Sequence, residues 1–211
     1  MCFCSFLVEF ASRAGYLGSN SLERISRSLM ESDAFPRVKI GSLTWAAQDL
    51  KVSKFRNGEP IPLVKDDKEW AQLNSAAYCI APGGYYLYNW FAVNDPRGLA
   101  PAGWHVPTDE EWEDLVHYLA QTLGDKDLVG AALKDDVAWD GTNSSGFSAL
   151  PGGSRNYASG FFYSQGSDGG WWSSSPNGSS AWYRYLFSGG SFVLRANNDS
   201  RYGFSVRCVR D

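Results

Sequence analysis

The clearest hydrophobic pattern of the chain lies in residues 108–124. Four apolar residues recur there at intervals of three and four: Trp112, Leu115, Val116 and Leu119. This period predicts a helix that buries one face. Thr108 and Glu111 have the spacing of a capping box, which predicts where the helix begins, and Gly124 predicts its end.

The other segments of the chain have shorter and less regular patterns. Residues 38–52 are β-branched and apolar, which predicts a strand with Trp45 as a core ring. Residues 85–93, "YYLYNWFAV", fit either a strand or a short helix. After about Leu133 the chain is rich in Gly, Ser and aromatic residues, which favours short strands joined by tight turns and long loops. The sequence therefore predicts an α+β domain.

The first part of the chain has a different character. Three apolar residues fall on one face of a predicted short helix: Leu22, Ile25 and Leu29. We therefore divide the chain into an N-terminal extension with a short helix, residues 1–36, and a ligand-binding domain, residues 37–211. Two roles stay open for the helix: packing on the domain, or joining subunits into a homo-oligomer. The first residues lack a basic start and carry Glu9, so a signal peptide is not evident.

Composition and charge narrow the function classes. The chain has 211 residues, 44% of them hydrophobic, which is enough for one domain with a core. Its net charge of -4 argues against a nucleic-acid partner, which needs a basic face. No segment is apolar enough to span a bilayer, so we expect no membrane insertion. Residues 181–211 hold five Arg and two Asp, and we expect two or three of these Arg to bind carboxylates within the fold.

The cysteines and histidines do not indicate a metal site. The four Cys and two His lack the spacing of metal ligands, so we predict no cofactor. A disulfide between Cys79 and Cys208 is compatible with the sequence, but we favour buried free thiols.

Seven motifs follow one another along the chain: "WAAQDLKVSKFRNGEPIP", "AAYC", "LYNWFAV", "RGLAPAGWHVPTDEEWEDL", "GFSALPGGSRN", "GWWSSS" and "GFSVRCVRD". In this order they resemble the Fibrobacter succinogenes major paralogous domain over residues 38–211. The resemblance implies a C-type-lectin-like fold, in which helices pack on small antiparallel sheets with long irregular loops. Such a fold brings the N- and C-terminal strands together and exposes a large loop-rich face.

A narrower resemblance concerns the C-terminal segment. The borders "GWWSSS" and "GFSVRCVRD" resemble those of variable proteins in diversity-generating retroelements, whose C-terminal segment is rewritten by mutation at adenines. Such mutation of Asn codons does not produce Trp, Lys, Glu, Gln or Met, and none of these occurs in residues 183–202. The resemblance implies a virion tail fibre or a bacterial cell surface as the setting, and a protein or glycan receptor on another cell as the partner.

The residues of this segment have the composition of evolved binding surfaces, which favour Tyr, Ser, Gly and Asn. The candidate ligand-binding residues are Trp172, Tyr183, Tyr185, Phe187, Ser188, Gly189, Gly190, Phe192, Leu194, Asn197, Asn198, Asp199 and Tyr202. Trp171 and Trp172 are adjacent and should point to opposite faces of a strand, one into the core and one towards the ligand. We also expect Trp182 and Phe204 to face the core.

Two alternatives remain beside non-catalytic binding. An enzyme of the formylglycine-generating type needs a reactive Cys pair upstream of the final strand, and this segment contains none, so we expect no catalysis. A calcium-dependent lectin needs Glu-Pro-Asn or Gln-Pro-Asp in a loop and Trp-Asn-Asp in a strand, which this segment also lacks. A metal-independent carbohydrate-binding module, which stacks sugars on Tyr or Trp, stays open.

Overall fold

The structure is a computed structural model, and it describes residues 35–211. The helix expected near residues 22–29 lies outside the described residues. The helices in the described part are α1 (Asp67–Ala71), α2 (Trp90–Val93), α3 (Asp109–Leu123) and α4 (Val129–Leu133). A 3-10 turn, Lys126–Leu128, precedes α4.

Helix α3 confirms the longest predicted element. The Thr108 hydroxyl accepts a hydrogen bond from the Glu111 N–H, and the Glu111 carboxylate accepts one from the Thr108 N–H, which completes the capping box. At the other end Gly124 adopts a φ of 73°, a left-handed conformation that ends the helix. Trp112 is buried with the rest of the predicted stripe except Val116, which is half-buried.

The strands in the described part are short. They are β1 (Arg37–Ile40), β2 (Leu43–Ala46), β3 (Tyr78–Ala81), β4 (Tyr85–Tyr88), β5 (Trp104–His105), β6 (Ser154–Arg155), β7 (Phe162–Tyr163), β8 (Gly169–Asn177), β9 (Ser180–Leu186), β10 (Leu194–Asp199) and β11 (Val209–Arg210). They form a four-stranded sheet, β1-β2-β11-β5, a three-stranded sheet, β10-β9-β8, and the pairs β3-β4 and β6-β7. All these pairings are antiparallel, and with the helices they confirm the α+β class.

The first strand prediction is wrong in detail. Residues 38–52 do not form one strand but the hairpin β1-β2 followed by irregular chain. The hairpin turns at Gly41, whose φ of 63° suits glycine. Its second strand pairs with β11 through Trp45 and Val209, so the first and last strands of the described part lie in one sheet.

Residues 85–93 contain both of the elements that the sequence allowed. Strand β4 ends at Tyr88 and helix α2 begins at Trp90. The residue between them, Asn89, is fully buried, and its side-chain oxygen accepts from the N–H groups of Ala77 and Ala92. The amide therefore caps the helix and fixes the corner.

The three-stranded sheet has hydrophobic core on both faces at β8. Trp171 packs with the residues of α3, while Trp172 packs with Phe204 on the other side. Both indoles are buried, at 1% and 0% exposure. The expectation that Trp172 lines the ligand-binding face is therefore wrong, because each face of β8 is covered.

Candidate binding face

Aromatic rings form a continuous row across one face of the three-stranded sheet and beyond it. In spatial order the row consists of Tyr157, Tyr202, Phe204, Tyr183, Tyr185, Phe187 and Phe192. Successive ring centroids are 4.6 to 6.1 Å apart. Phe204 is buried, the others are at least half-buried, and Phe192 at the end of the row is 45% exposed. We call this set the aromatic row.

Strand alternation explains how the row forms. Tyr183 and Tyr185 are two residues apart on β9 and therefore point to the same face. Trp172 supports them from within, with its ring centroid 6.1 Å from that of Tyr183 and 4.8 Å from that of Phe204. A buried tryptophan thus holds the row in place without contacting solvent.

Hydrogen bonds fix the tyrosines of the row. The Tyr185 hydroxyl donates to Asp168 at 3.3 Å, and the Tyr202 hydroxyl accepts from the Asn156 amide at 2.9 Å. Burial, together with the nearby Asp168 carboxylate, raises the pKa of Tyr185. Burial also raises the pKa of Tyr183, against a smaller opposite effect of a hydrogen bond with Asn198. Both of these phenols are therefore neutral at physiological pH.

We call the loop that follows β9, residues 187–193, the display loop. A buried lysine, Lys134, anchors it. Lys134 is 1% exposed, and its ammonium donates to the carbonyl oxygens of Phe187 and Gly190, both at 2.6 Å, and to Asp140 at 2.8 Å. The three N–H donors of a lysine are thereby used. The ammonium holds the two ends of the turn together.

Two carboxylates hold the tip of the display loop. Asp140 accepts from the Gly189 N–H at 2.5 Å, and Asp168 accepts from the Ser188 N–H at 3.1 Å. Although burial disfavours the Asp140 anion, hydrogen bonds from Lys134 and Gly189 hold the pKa of Asp140 below its usual range. The carboxylate is therefore charged at neutral pH and remains an acceptor for the loop.

The far end of the display loop rests on helix α4. The N–H groups of Gly130 and Ala131 donate to the Ser191 carbonyl at 2.6 and 3.3 Å. A Cβ atom at Gly130 would lie 2.6 Å from the Phe192 carbonyl oxygen, so the approach requires glycine. The contacts from Lys134, from both aspartates and from α4 all reach main-chain atoms of the loop. Some side chains of the loop make contacts of their own: Val193 packs against the core, and the ring centroids of Phe187 and Phe192 lie 5.7 Å apart.

Two predicted site residues, Asn197 and Asp199, lie on the face of β10 opposite to Tyr183 and Tyr185. Asn197 pairs with Trp182 across the sheet, and Asp199 forms an ion pair with Arg201 at 2.8 Å. Trp182 is half-buried on this face, with the Arg195 guanidinium 3.7 Å from its ring centroid. The expectation that Trp182 faces the core is therefore wrong, because an arginine and not the core covers its ring. Phe204 is buried as expected.

The structure thus divides the predicted residues into four groups. Five lie on or beside the row: Tyr183, Tyr185, Leu194, Asn198 and Tyr202. Five lie in the display loop: Phe187, Ser188, Gly189, Gly190 and Phe192. Asn197 and Asp199 lie on the opposite face of β10, and Trp172 is buried. The first two groups adjoin one another through the ring contact of Tyr185 with Phe187. Together they form one face, the candidate binding face.

Sequence reasoning missed the residues that position this face. Tyr157 extends the row, and Asp168 accepts hydrogen bonds from the Tyr185 hydroxyl and the Ser188 N–H. Neither residue lies in a sequence pattern that indicates this role. Lys134 directly follows the apolar run "LVGAAL", and this position is the one sequence feature that indicates its burial. Its partner Asp140 lies in a polar stretch, which carries no signal of this contact.

The arginines of the C-terminal segment bind more carboxylates than expected. Four form ion pairs with aspartates: Arg184 and Arg195 with Asp109, Arg201 with Asp199, and Arg207 with Asp49. The expectation of two or three was therefore too low. Most of the local positive charge is neutralised within the fold and does not mark an anion-binding surface.

The two described cysteines are free and buried, which confirms the favoured prediction. Burial raises the pKa of both Cys79 and Cys208 to about 12. Their thiols are therefore protonated and poor nucleophiles. Within residues 35–211 no three His, Cys, Asp or Glu side chains are grouped so that they could hold a metal ion. In the same residues, no helix combines the length and apolar character needed to cross a membrane.

These features define an α+β domain with small antiparallel sheets and a face of aromatic rings beside an anchored loop. The chain belongs to the family described as the Fibrobacter succinogenes major domain, whose model matches residues 38–210. No curated protein and no solved structure matches the chain.

Proposed function

We propose that this chain is a non-catalytic binding protein with a C-type-lectin-like fold. Its candidate binding face contacts a protein or glycan receptor on another cell. One observation carries the proposal: the display loop is held through its main chain by Lys134, Asp140, Asp168 and α4. A loop of fixed shape, with side chains that its anchors do not use, suits contact with a partner.

The same anchoring supports a diversified segment, as in retroelement variable proteins. Side chains can change in such a segment without loss of the fold only if the scaffold does not depend on them. The position of β2 beside β11, the first described hairpin next to the last strand, supports the C-type-lectin-like fold. The setting that follows is a phage tail fibre or a bacterial cell surface. A second copy of the segment in the genome, differing only at adenines and near a reverse transcriptase, is expected.

Catalysis of the formylglycine-generating type is not favoured. The thiol of Cys208 is buried, with a pKa of about 12, which is the opposite of an activated cysteine. Metal-independent carbohydrate binding is the second candidate, and the aromatic row favours it because sugar rings stack on tyrosine faces.

Binding to intact cells tests the proposal. Fluorescently labelled protein is incubated with a panel of bacterial strains, and flow cytometry measures the bound protein. We expect a strain that binds the wild type to lose the protein when Phe187→Ala and Phe192→Ala are combined. The matched control is Phe161→Ala, because Phe161 is 55% exposed and lies outside the aromatic row.

Equal binding of the double variant and the wild type on every strain would contradict the proposal. Treating the cells with protease or with periodate separates a protein receptor from a glycan receptor. Loss of binding after periodate alone would favour the carbohydrate candidate.

A further inference from the structure

Strand β10 is the outer strand of the three-stranded sheet, in which β9 lies between β10 and β8. It pairs with β9 in an unbroken register, from Leu194 opposite Tyr185 to Asp199 opposite Ser180. None of its six residues is buried. Within residues 35–211 no other strand pairs with its outer edge, so β10 has a free edge.

The neighbouring strands show which main-chain groups point to this free edge. Residue pairs in antiparallel strands alternate between those that exchange hydrogen bonds and those that do not. The Trp172 N–H donates to a carbonyl outside the sheet, so its partner Tyr183 turns its main-chain groups towards β10. Tyr183 lies opposite Ala196. Ala196 therefore bonds to β9, and its neighbours Arg195 and Asn197 turn their N–H and C=O groups outwards.

These outward groups are unpaired. The main-chain N–H and C=O of Arg195 and Asn197 have no hydrogen-bond partner in the described part of the chain. The Asp199 N–H, which points the same way, donates to the adjacent Asn198 side chain at 3.0 Å. Proteins often block such an edge with proline, lysine or a β-bulge, and β10 contains none of these. The edge is therefore open to a further strand.

The sequence of β10 is complementary to itself when two copies run antiparallel. Outward residues then pair only with outward residues, which are Arg195, Asn197 and Asp199 in each copy. If Asn197 lies opposite Asn197, each Arg195 lies opposite an Asp199 of the second copy. Cross-strand pairs of opposite charge stabilise a sheet, and like charges directly opposite destabilise it. Charge therefore favours this register over one that places Arg195 opposite Arg195.

Both charged groups are accessible at the edge. The side chains of Arg195 and Asp199 are 41% and 33% exposed. Arg195 binds Asp109 through Nε and Nη2, and its Nη1 group has no partner among residues 35–211. Asp199 pairs with Arg201 at 2.8 Å, but a carboxylate can accept about four hydrogen bonds. A second ion pair can therefore form on each group without breaking the first.

We propose that β10 pairs with β10 of a second copy of this chain, antiparallel and about a two-fold axis at Asn197. The two sheets then join into one sheet through an isologous contact. Because the axis is perpendicular to the sheet, Tyr183 and Tyr185 of both copies lie on one side of it. Two candidate binding faces on one side would bind a repeated receptor more tightly than one. The pairing itself does not depend on the proposed function.

Sedimentation equilibrium of the full chain tests the pairing. Because such short strands form a small interface, we expect a weak dimer with a dissociation constant of about 100 μM. Asn197→Pro removes an outward N–H, and a proline is tolerated in an edge strand whose N–H faces solvent. We expect this variant to remain folded by circular dichroism and to dimerise at least roughly tenfold more weakly. The matched control Asn197→Thr keeps the N–H and should dimerise as the wild type does.

Exchanging the charges tests the register. Arg195→Glu and Asp199→Arg each place like charges opposite one another, and each should weaken self-association by roughly tenfold. In a mixture of these two variants opposite charges face each other again, so we expect a mixed dimer of wild-type affinity.

Three results would overturn the proposal. The first is a wild type that stays monomeric up to roughly 1 mM, tenfold above the expected dissociation constant. The second is an Asn197→Pro variant that associates as strongly as the wild type, which would assign the contact to another surface. The third is a mixture of Arg195→Glu and Asp199→Arg that associates no more strongly than either variant alone.

Discussion

Replacing Lys134 by methionine tests how the display loop is held. The substitution keeps a long apolar side chain in a buried position but removes the ammonium. It leaves the carbonyl oxygens of Phe187 and Gly190 without the donor that lies 2.6 Å from each. It also leaves Asp140 without its ion-pair partner.

The expected loss follows from these three contacts. A buried acceptor that loses its donor costs about 1–3 kcal/mol, and two carbonyls are affected. Asp140 is 40% exposed, so water can replace the ammonium there and this part of the cost is small. Rehydration of the loop lowers the carbonyl cost as well, because Ser188 and Gly189 at its tip are exposed. We therefore expect the free energy of unfolding to fall by about 2–4 kcal/mol.

Urea denaturation followed by tryptophan fluorescence measures this change. Lys126→Met is the matched control, because Lys126 is exposed, and it should change stability by less than about 0.5 kcal/mol. Ser188→Ala and Phe192→Ala alter loop side chains that the anchors do not contact, and each should cost less than about 1 kcal/mol. A cost below about 1 kcal/mol for Lys134→Met, or an equal cost for the two loop variants, would show that the ammonium does not hold the loop.

Two further predictions follow from the ionisable groups. His105 lies between Asp211 at 2.7 Å and Glu111 at 2.9 Å, and although burial opposes it, these contacts raise its pKa above the ordinary value of 6.5. The stabilising contribution of protonated His105 is complete below pH 6.5 and is lost as pH rises through the higher folded-state pKa, so the melting temperature should fall over that range. The variant His105→Gln should show a smaller fall. An equal fall in both proteins would show that His105 does not cause it. Cys79 and Cys208 should resist iodoacetamide in the native protein and react after unfolding, as peptide mass spectrometry can measure; native-state alkylation at either thiol would contradict their burial.

The sequence was most informative where structure depends on near neighbours. Helix α3 could be predicted because its period and both of its end signals lie within one short segment. The hairpin β1-β2 was missed because an apolar run concealed the turn at Gly41. The outcome for Trp172 could not be predicted, because only the assembled fold places core on both faces of β8.

The sequence predicted which residue types form the candidate binding face, but not the contacts that hold them in place. The tyrosines and the loop residues were identified from their type alone. The anchor was not, because Lys134 lies 53 and 56 residues before the two carbonyl groups that it binds. Local patterns carry no signal for contacts at this separation. The strand register that places Asn197 and Asp199 on the opposite face was likewise beyond sequence reasoning.

A single mutational scan on displayed protein separates the side chains that bind a receptor from the groups that hold the display loop. Every substitution at Phe187, Ser188 and Phe192, and at the anchors Lys134 and Asp140, is scored twice: for protease resistance and for binding to a strain that the wild type recognises. We expect loop substitutions to change binding while protease resistance stays high, and anchor substitutions to reduce both. Loop substitutions that left binding unchanged, or that reduced protease resistance as much as the anchor substitutions do, would contradict a binding role for the display loop.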